Sequence, residues 1–129
     1  MSEPIWIRDE IVLAIHNRQL SEHGGGEGVR DFSLLDSALN KPKNLYHYGD
    51  PKPSLAAMTT AYAYGICKNH PFVDGNKRTA FVICLLFLKL NGAELTVSQA
   101  EKYEAFLNLA AGNISESELS DWIAQSLAK

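Results

Sequence analysis

Several features that mark whole classes of protein are missing from this chain of 129 residues. It has only two cysteines, Cys67 and Cys84, which are too few for a disulfide framework and lack the spacing of a metal site. We therefore expect both to be buried, reduced side chains that pack as small apolar residues. The longest apolar run covers residues 80–88 and ends at Lys89. A membrane-spanning helix needs about 20 apolar residues, so this shorter run predicts a helix of the core instead.

Positive charge is also scarce. Twelve Lys and Arg stand against fifteen Asp and Glu, which gives a net charge of −3 at pH 7. Because duplex binding depends largely on neutralising phosphates, this balance excludes a general electrostatic DNA binder, and we expect no direct nucleic-acid binding. Residues 1–10 carry three acidic residues and one Arg and have no apolar h-region, so they do not fit a signal peptide. These observations predict one cytoplasmic domain over residues 1–129 without membrane attachment.

The chain does contain a series of helix signals. Apolar residues recur at helical spacing, and capping residues or helix breakers separate the periodic segments. We predict six helices and almost no strand, with helix starts near Asp9, Ser33, Ser54, Asn76, Ser98 and Ser115. The segment 76–91 is apolar on nearly every side, which is typical of a helix at the centre of a fold. The predicted fold is therefore an all-α bundle of about six helices around one buried helix.

Two details of this prediction concern the ends of the helices and their inner faces. The second helix, which starts in a capping box at Ser33, is expected to end before Pro42, because proline removes a backbone donor. Residues 41–53 are then rich in Pro, Lys and Tyr, which predicts an exposed loop or small hairpin. Nearer the C-terminus, the residues predicted to face inwards are Leu107, Leu119, Trp122, Ile123 and Leu127.

The segment 68–79, KNHPFVDGNKRT, differs from the rest of the chain in charge. Lys68, Lys77 and Arg78 against Asp74 give it a charge of +2 in a protein whose total is −3. The positive charge is therefore concentrated in one place. That place is the predicted connection between the third and fourth helices.

The start of the fourth predicted helix offers a site for an anion. The first turn of a helix has backbone N–H groups without intrahelical partners and carries the positive end of the helix dipole. Gly75 allows a ligand close to the backbone, and Lys77 and Arg78 add full positive charges beside it. Together with the backbone of Asn76, this combination is typical of a phosphate-binding site.

His70 and Asp74 make this segment suitable for chemistry as well as binding. Histidine has an ordinary pKa of about 6.5, so His70 is able to accept a proton near neutral pH. Asp74 is a hard oxygen ligand of the kind that Mg²⁺ takes together with phosphate oxygens. A base, a metal ligand and a phosphate site within a few residues are the parts that phosphoryl transfer requires.

The stretch from His70 to Thr79, HPFVDGNKRT, closely resembles the signature of the Fic/Doc superfamily, specifically its Doc (death-on-curing) branch. Weaker resemblance covers most of the chain, in segments around residues 24–31, 34–39, 48–49 and 87–92. The resemblance implies the small all-α Fic/Doc bundle, which agrees with the helices predicted above. It also implies that Phe72 anchors the loop in the core, and that residues 41–53 form a flap that aligns the target beside the site.

For single positions, the resemblance implies roles only where the motif matches. His70 would take the proton from a target hydroxyl, and Asp74 would bind or orient Mg²⁺. The backbone of Gly75 and Asn76, with the two cationic side chains that follow, would hold the phosphates of ATP. The implied catalytic residues are His70, Asp74, Lys77 and Arg78, and the implied cofactor-binding residues are Gly75, Asn76, Lys77 and Arg78.

The resemblance also bears on the reaction. Fic proteins that transfer AMP carry a glycine after the motif asparagine and a second arginine three residues after the first, where this chain has Lys77 and Phe81. Doc proteins share the lysine and resemble kinases that transfer the γ-phosphate of ATP. The implied activity is therefore phosphorylation of a hydroxyl on a translation factor, with elongation factor Tu as the expected target and arrested protein synthesis as the result.

A small antitoxin protein is the partner that the resemblance implies. Doc toxins are held inactive by a Phd-like antitoxin whose disordered tail folds onto the cleft of the toxin. Some Fic proteins instead contain an inhibitory helix with Ser/Thr-x-x-x-Glu followed by Gly or Asn, and this chain has no such string. Inhibition is therefore expected in trans.

Other interpretations of the same residues stay open at this point. The chemistry is alternatively AMP transfer, or the fold serves as a non-catalytic module that occludes a partner. A metal hydrolase is disfavoured, because His70 and Asp74 are only two ligands where a catalytic zinc needs three. His70 also suits a helix C-cap. His16 is expected to be structural, and Arg30 is either an ion-pair partner within the bundle or a second phosphate contact.

Overall fold

The computed structural model describes residues 3–127, in which every element of regular secondary structure longer than a single bridge is a helix. The six helices are α1 (Asp9–His23), α2 (Phe32–Tyr48), α3 (Leu55–Asn69), α4 (Asn76–Leu90), α5 (Gln99–Ala111) and α6 (Glu116–Ser126). Apart from two isolated β-bridges, residues 3–127 contain no strand pairing. The predicted all-α class is therefore confirmed. In the same part of the chain, no helix is long and apolar enough to cross a membrane.

Capping side chains define most of the helix starts. Three of the predicted helix starts are N-caps whose side chains accept a hydrogen bond from a backbone N–H of the first turn, and these are Ser54, Ser98 and Ser115. The start of α2 differs from the prediction, because Asp31 rather than Ser33 is the N-cap and accepts from Leu34 N at 3.0 Å. In α1, Arg8 is the N-cap, and Asp9, near which the helix was predicted to start, is the first helical residue.

The predicted end of α2 before Pro42 is wrong, because the helix continues to Tyr48. A proline inside a helix costs about 3 kcal/mol through the lost donor and the clash with the preceding turn. Here Pro42 is buried together with Leu35, Ala38 and Leu39 on the face that packs against α3, and this packing offsets the cost. Residues 41–48, predicted as part of a loop or hairpin, are therefore helical, and the loop is limited to residues 49–54.

The helix at the centre of the bundle is α3, not α4 as the apolar run predicts. α3 contacts α2, α4, α5 and α6, and it is buried on most of its surface. Its alanines, threonines and Gly65 leave room for close neighbours, although they are less apolar than the residues of α4. α4 buries one side and leaves the other only half-buried, including Phe81, Val82, Leu85 and Leu86.

The inner faces of the last two helices follow the prediction in part. Leu119 and Ile123 are fully buried, whereas Trp122 and Leu127 are half-buried at the edge of the core. Leu107 is exposed, because the inner face of α5 is formed instead by Phe106 and Leu109. Both cysteines are buried and unpaired, as predicted.

Candidate active site

The loop between α3 and α4 brings the predicted site residues to one surface. His70 ends α3 in the left-handed conformation, with φ 47°, and its backbone N–H still donates to Ile66 O at 3.1 Å. It is therefore the helix C-cap, while its imidazole is exposed to solvent. An open cavity of about 400 Å³ is lined by His70, Val73, Asp74, Gly75, Asn76, Lys77, Arg78 and Ala110. All six residues proposed from the sequence thus meet in this one cavity.

Phe72 and Asn76 hold the loop to the body of the protein. The Phe72 side chain is 1% exposed, so it is the anchor in the core that was predicted. The Asn76 side chain accepts from Phe72 N and donates to Phe72 O, each at 3.0 Å. Its amide nitrogen also lies 3.5 Å from Nδ1 of His70. Because the side chain of Asn76 is occupied in this way, only its backbone is available to an anion.

His16 reaches the same loop from α1. The ring is 2% exposed and stacks on Phe72 with centroids 3.8 Å apart. Its Nε2 lies 2.8 Å from the backbone oxygen of Asp74. Since a carbonyl oxygen only accepts, Nε2 carries the proton and donates it. The structural role expected for His16 is confirmed, and it consists of fixing the backbone at Asp74.

The glycine-rich connection between α1 and α2 lies along the other side of the loop. Gly28 O accepts from Val73 N at 3.1 Å, and the N–H groups of Arg30 and Asp31 donate to Pro71 O at 2.7 and 3.1 Å. From the sequence, this connection was interpreted as a helix break and as part of the weaker resemblance, and no contact with the loop was predicted for its backbone. Its contacts depend on the tertiary fold, and no local pattern reveals them.

The side chain of Arg30 completes the same support. Its guanidinium donates to the backbone oxygens of His70 and Asn69 at 2.7 and 2.8 Å. These carbonyls end α3 and have no intrahelical partner, so the cation satisfies them and opposes the negative end of the dipole. The guanidinium therefore has a structural role, but its partners are backbone carbonyls. Of the two roles considered for Arg30, the ion pair is not formed within residues 3–127.

The first turn of α4 is electrostatically unlike those of the other helices in residues 3–127. α2, α3, α5 and α6 have capping side chains, and α1 has Asp9 and Glu10 in its first turn. α4 starts at Gly75 with neither, and its first turn contains Lys77 and Arg78. Among the described residues neither cation forms an ion pair. The positive end of this helix is therefore available to an anion.

Asp74 is the only acidic side chain in the wall of the cavity, and it is exposed. One of its oxygens accepts from Gly75 N at 2.8 Å, which leaves the other oxygen free for a cation. No group of three or more His, Cys, Asp or Glu side chains able to hold a metal occurs between residues 3 and 127. A single carboxylate fits Mg²⁺, which commonly completes its shell with water and phosphate oxygens, and does not fit a zinc site built from protein ligands alone.

Comparison with known proteins gives consistent matches. A sequence model of the Fic/DOC family matches residues 6–88, which is more than half of the chain. Toxin Doc of Mycolicibacterium smegmatis is 36% identical over 89 residues, covering 68% of this chain and 68% of that protein. Protein kinase doc of Escherichia phage P1 is 30% identical over 115 residues, covering 89% of this chain and 90% of that protein. The matches include the whole of the loop between α3 and α4.

Proposed function

The chain belongs to the Fic/DOC family, and from that premise we propose that it is a Doc-type toxin that transfers the γ-phosphate of ATP to a protein hydroxyl. The observation that carries the proposal is the composition of one cavity. A solvent-exposed imidazole, a single free carboxylate and an uncapped cationic helix start line the same 400 Å³ space. These are the groups that phosphoryl transfer needs for proton removal, charge neutralisation and positioning.

In the proposed reaction, His70 acts as the general base. Its neutral ring takes the proton from a target hydroxyl, whose oxygen forms a bond to the γ-phosphorus. The bond between that phosphorus and the oxygen that bridges to the β-phosphate breaks, and ADP leaves with this oxygen. The products are a phosphorylated protein and ADP.

The nucleotide phosphates would be held by the first turn of α4. The backbone N–H groups of this turn and the side chains of Lys77 and Arg78 supply positive charge without rearrangement. Asp74 would hold Mg²⁺, which neutralises charge on phosphate oxygens when it is bound. The bonds from His16 and Asn76 support this arrangement by fixing the loop before the reaction begins.

Transfer of the γ-phosphate is favoured over transfer of AMP by two positions. Lys77 occupies the position where AMP-transferring Fic proteins have glycine, and its side chain would crowd the backbone there. Phe81 occupies the position of their second arginine, and it packs edge-on against Phe106 with ring centroids 4.9 Å apart. A second guanidinium for the phosphates is therefore absent from this position. The relative named as a protein kinase is consistent with this choice.

The proposed target is a translation factor, and elongation factor Tu is the first candidate to test. The proposed partner is a Phd-like antitoxin that covers the cavity. The partner is suggested by the relative named as a toxin. The lack of an inhibitory Ser/Thr-x-x-x-Glu string in the chain supports inhibition by a separate protein. Because translation factors act in the cytoplasm, the proposed location of the protein is also the cytoplasm.

Isotope labelling tests the reaction. We propose incubation with elongation factor Tu or a cell extract and with ATP labelled at either the α- or the γ-phosphate. Label on protein from the γ-position alone is the expected result, and His70→Ala should lower the rate about 100-fold or more because a general base is lost. Label from the α-position alone would show AMP transfer. Absence of transfer, with growth arrest preserved in His70→Ala, would contradict the enzymatic function.

A pair of lysine variants tests the phosphate site. Lys77→Ala should lose transfer and remain folded, because a single side chain in a first helical turn contributes little to stability. Lys89→Ala is the matched control, since it removes the same charge from the opposite end of α4, where the side chain is exposed. Equal activity of the two variants would place the nucleotide elsewhere.

A further inference from the structure

The peptide bond between Asp74 and Gly75 is held from both sides. Its carbonyl oxygen accepts from Nε2 of His16 at 2.8 Å, and its N–H group donates to Oδ1 of Asp74 at 2.8 Å. The first partner lies on α1, 58 residues earlier in the chain, and the second is the carboxylate at which we place Mg²⁺. The orientation of this one peptide therefore links a buried residue of α1 to the proposed metal ligand.

We propose that His16 is a positioning residue for Asp74, because the hydrogen bond from its imidazole holds the 74–75 peptide in the orientation that keeps the carboxylate in place for Mg²⁺. The inference rests on the proposed function for the role of Asp74 as a magnesium ligand. In the opposite orientation of the peptide, its carbonyl oxygen would face the carboxylate, and two oxygen acceptors repel each other. The carboxylate would then lose its bond from Gly75 and leave its position.

The surroundings of His16 fix the direction of its N–H group. The ring is 2% exposed and lies nearly parallel to the ring of Phe72, with an interplanar angle of 10°. Phe72 is itself held in the core, and its backbone N–H and carbonyl both bind the side chain of Asn76. The stack therefore keeps the imidazole from turning, and burial keeps water from competing for the hydrogen bond.

The conformation of Gly75 depends on a contact of this kind. With φ +79° and ψ 15° it starts α4, and no capping side chain holds this turn. Glycine has the widest backbone freedom of all residues, so other φ values are open to it at little cost. His16 lies directly against this residue, because its Cδ2 and Nε2 atoms are 3.6 and 3.7 Å from the place of a Cβ on Gly75. The imidazole thus supplies from α1 the restraint that the turn lacks.

Two substitutions separate the hydrogen bond from the ring stack. His16→Phe keeps an aromatic ring against Phe72 and removes the donor, whereas His16→Gln keeps an N–H donor and removes the ring. Calorimetry with and without magnesium chloride measures how far Mg²⁺ strengthens the binding of ADP to the full chain. His16→Phe should reduce this strengthening about five- to tenfold, which is the size typical of one hydrogen bond. His16→Gln should keep it within about twofold of the unmodified protein.

NMR spectroscopy observes the same atoms without nucleotide, metal or transfer. In the unmodified protein the Nε2 proton of His16 should exchange slowly with water, because it is buried and hydrogen-bonded. The couplings between the amide and α protons of Gly75 report its φ, and they should change in His16→Phe but not in His16→Gln. Circular dichroism checks the fold of both variants, and an apolar ring of similar size at a buried position favours a folded His16→Phe protein.

The outcomes separate this inference from the proposed function. If the Gly75 couplings and the magnesium effect both follow the donor at position 16 while no phosphate is transferred, the inference stands and the kinase function falls. If phosphate is transferred while His16→Phe leaves either the couplings or the magnesium effect unchanged, His16 is not a positioning residue for Asp74.

Three further results would also overturn the inference. Equal losses in His16→Phe and His16→Gln would assign the effect to the ring stack. A rapidly exchanging Nε2 proton in the unmodified protein would show that the hydrogen bond does not hold the peptide. ADP binding that magnesium does not strengthen in the unmodified protein would remove the metal from Asp74, whatever the transfer assay shows.

Discussion

Gly25 lies directly against the carboxylate of Asp74. A Cβ atom at position 25 would stand 2.8 Å from Oδ2 of Asp74, closer than such atoms approach in folded proteins. The backbone at Gly25 also has φ +126°, a conformation that residues other than glycine rarely adopt. Both observations indicate that a glycine is required here to keep the proposed magnesium ligand in position.

We expect Gly25→Ala to impair magnesium use specifically. The new methyl group should displace the carboxylate and raise the Mg²⁺ concentration for half-maximal transfer several-fold, with a loss of stability of about 1–2 kcal/mol from the positive φ. Gly24→Ala is the matched control, because position 24 also has a positive φ, +77°, but no atom within 4 Å of its Cβ. Magnesium titrations of the transfer rate and thermal unfolding measure the two effects. Equal magnesium dependence in both variants would contradict the prediction.

The candidate site divides into a part that the sequence predicts and a part that it does not. The residues proposed from the sequence lie within one continuous stretch, 70–78, so their proximity follows from the chain itself. His16 and Gly25 reach Asp74 only after α1 has packed beside α4. Neither has a local pattern that separates it from an ordinary helix histidine or a loop glycine. Supports of this kind depend on tertiary packing and are invisible to motif analysis.

Gly65 sets the distance between α2 and α3. A Cβ at this position would lie 3.2 Å from Cα and 3.3 Å from Cβ of Ala38 on α2, which is tighter than ordinary van der Waals contact. A glycine in a helix costs about 1 kcal/mol relative to alanine, so its presence in α3 needs a compensating reason. The close approach of the two helices supplies that reason, because it buries Leu35, Leu39 and Pro42.

We predict that Gly65→Val destabilises the protein. The side chain would force α2 away from α3, and overpacking of this kind typically costs about 1–3 kcal/mol. Combining it with Ala38→Gly should restore part of the loss, because the two changes act on the same contact. Urea denaturation of the two single variants and the double variant gives the coupling free energy. Additive effects would show that the contact does not determine the helix spacing.

The helices themselves were largely predictable, and the two largest errors, the end of α2 and the choice of the central helix, have physical causes. Cap residues and apolar periodicity act locally, so the positions of α3, α4, α5 and α6 follow from short segments. The extension of α2 through Pro42 depends on burial against α3. A proline in the sequence indicates a helix end and carries no information about this burial. The central position of α3 depends on its small side chains, whereas apolarity alone favours α4.

The distribution of charge over the chain is more informative than its sum. A net charge of −3 argues against an extended phosphate polymer as ligand. Lys77 and Arg78 nevertheless lie together at the start of α4. Among the helices of residues 3–127, this is the one start that lacks both a capping side chain and an acidic first turn. The acidic average therefore leaves room for a single nucleotide at a local cationic site.

The core also contains ionisable groups that remain neutral in the folded protein. Burial raises the pKa of Tyr62 from 10.0 to about 12, although a hydrogen bond from Ile7 N opposes the shift. Burial likewise raises the pKa of Cys67 from 9.0 to about 11, against the positive charges of Lys77 and Lys68. The pKa of Cys84 is raised in the same direction by burial and by the neighbouring Cys67. Each of these groups binds its proton more tightly in the folded state than in the unfolded state.

These shifts predict that the free energy of unfolding falls as the solution becomes alkaline. Well below pH 9 these groups are protonated in both the folded and the unfolded state. Above pH 9 the unfolded chain loses its protons first, so the free energy of unfolding declines as the pH rises. The decline extends from pH 9 to about 11 for Cys67 and from pH 10 to about 12 for Tyr62. At about 1.4 kcal/mol for each pKa unit, a rise from 9.0 to about 11 or from 10.0 to about 12 corresponds to about 3 kcal/mol per buried group at most. Urea unfolding under reducing conditions at increasing pH measures the decline in the free energy of unfolding.

Two variants assign the decline to its groups. Cys67→Ala should make the decline above pH 9 shallower, and Tyr62→Phe should do the same above pH 10. Each variant removes one titrating group, whatever its effect on stability at neutral pH. An unchanged slope in both variants would assign the alkaline transition to other groups.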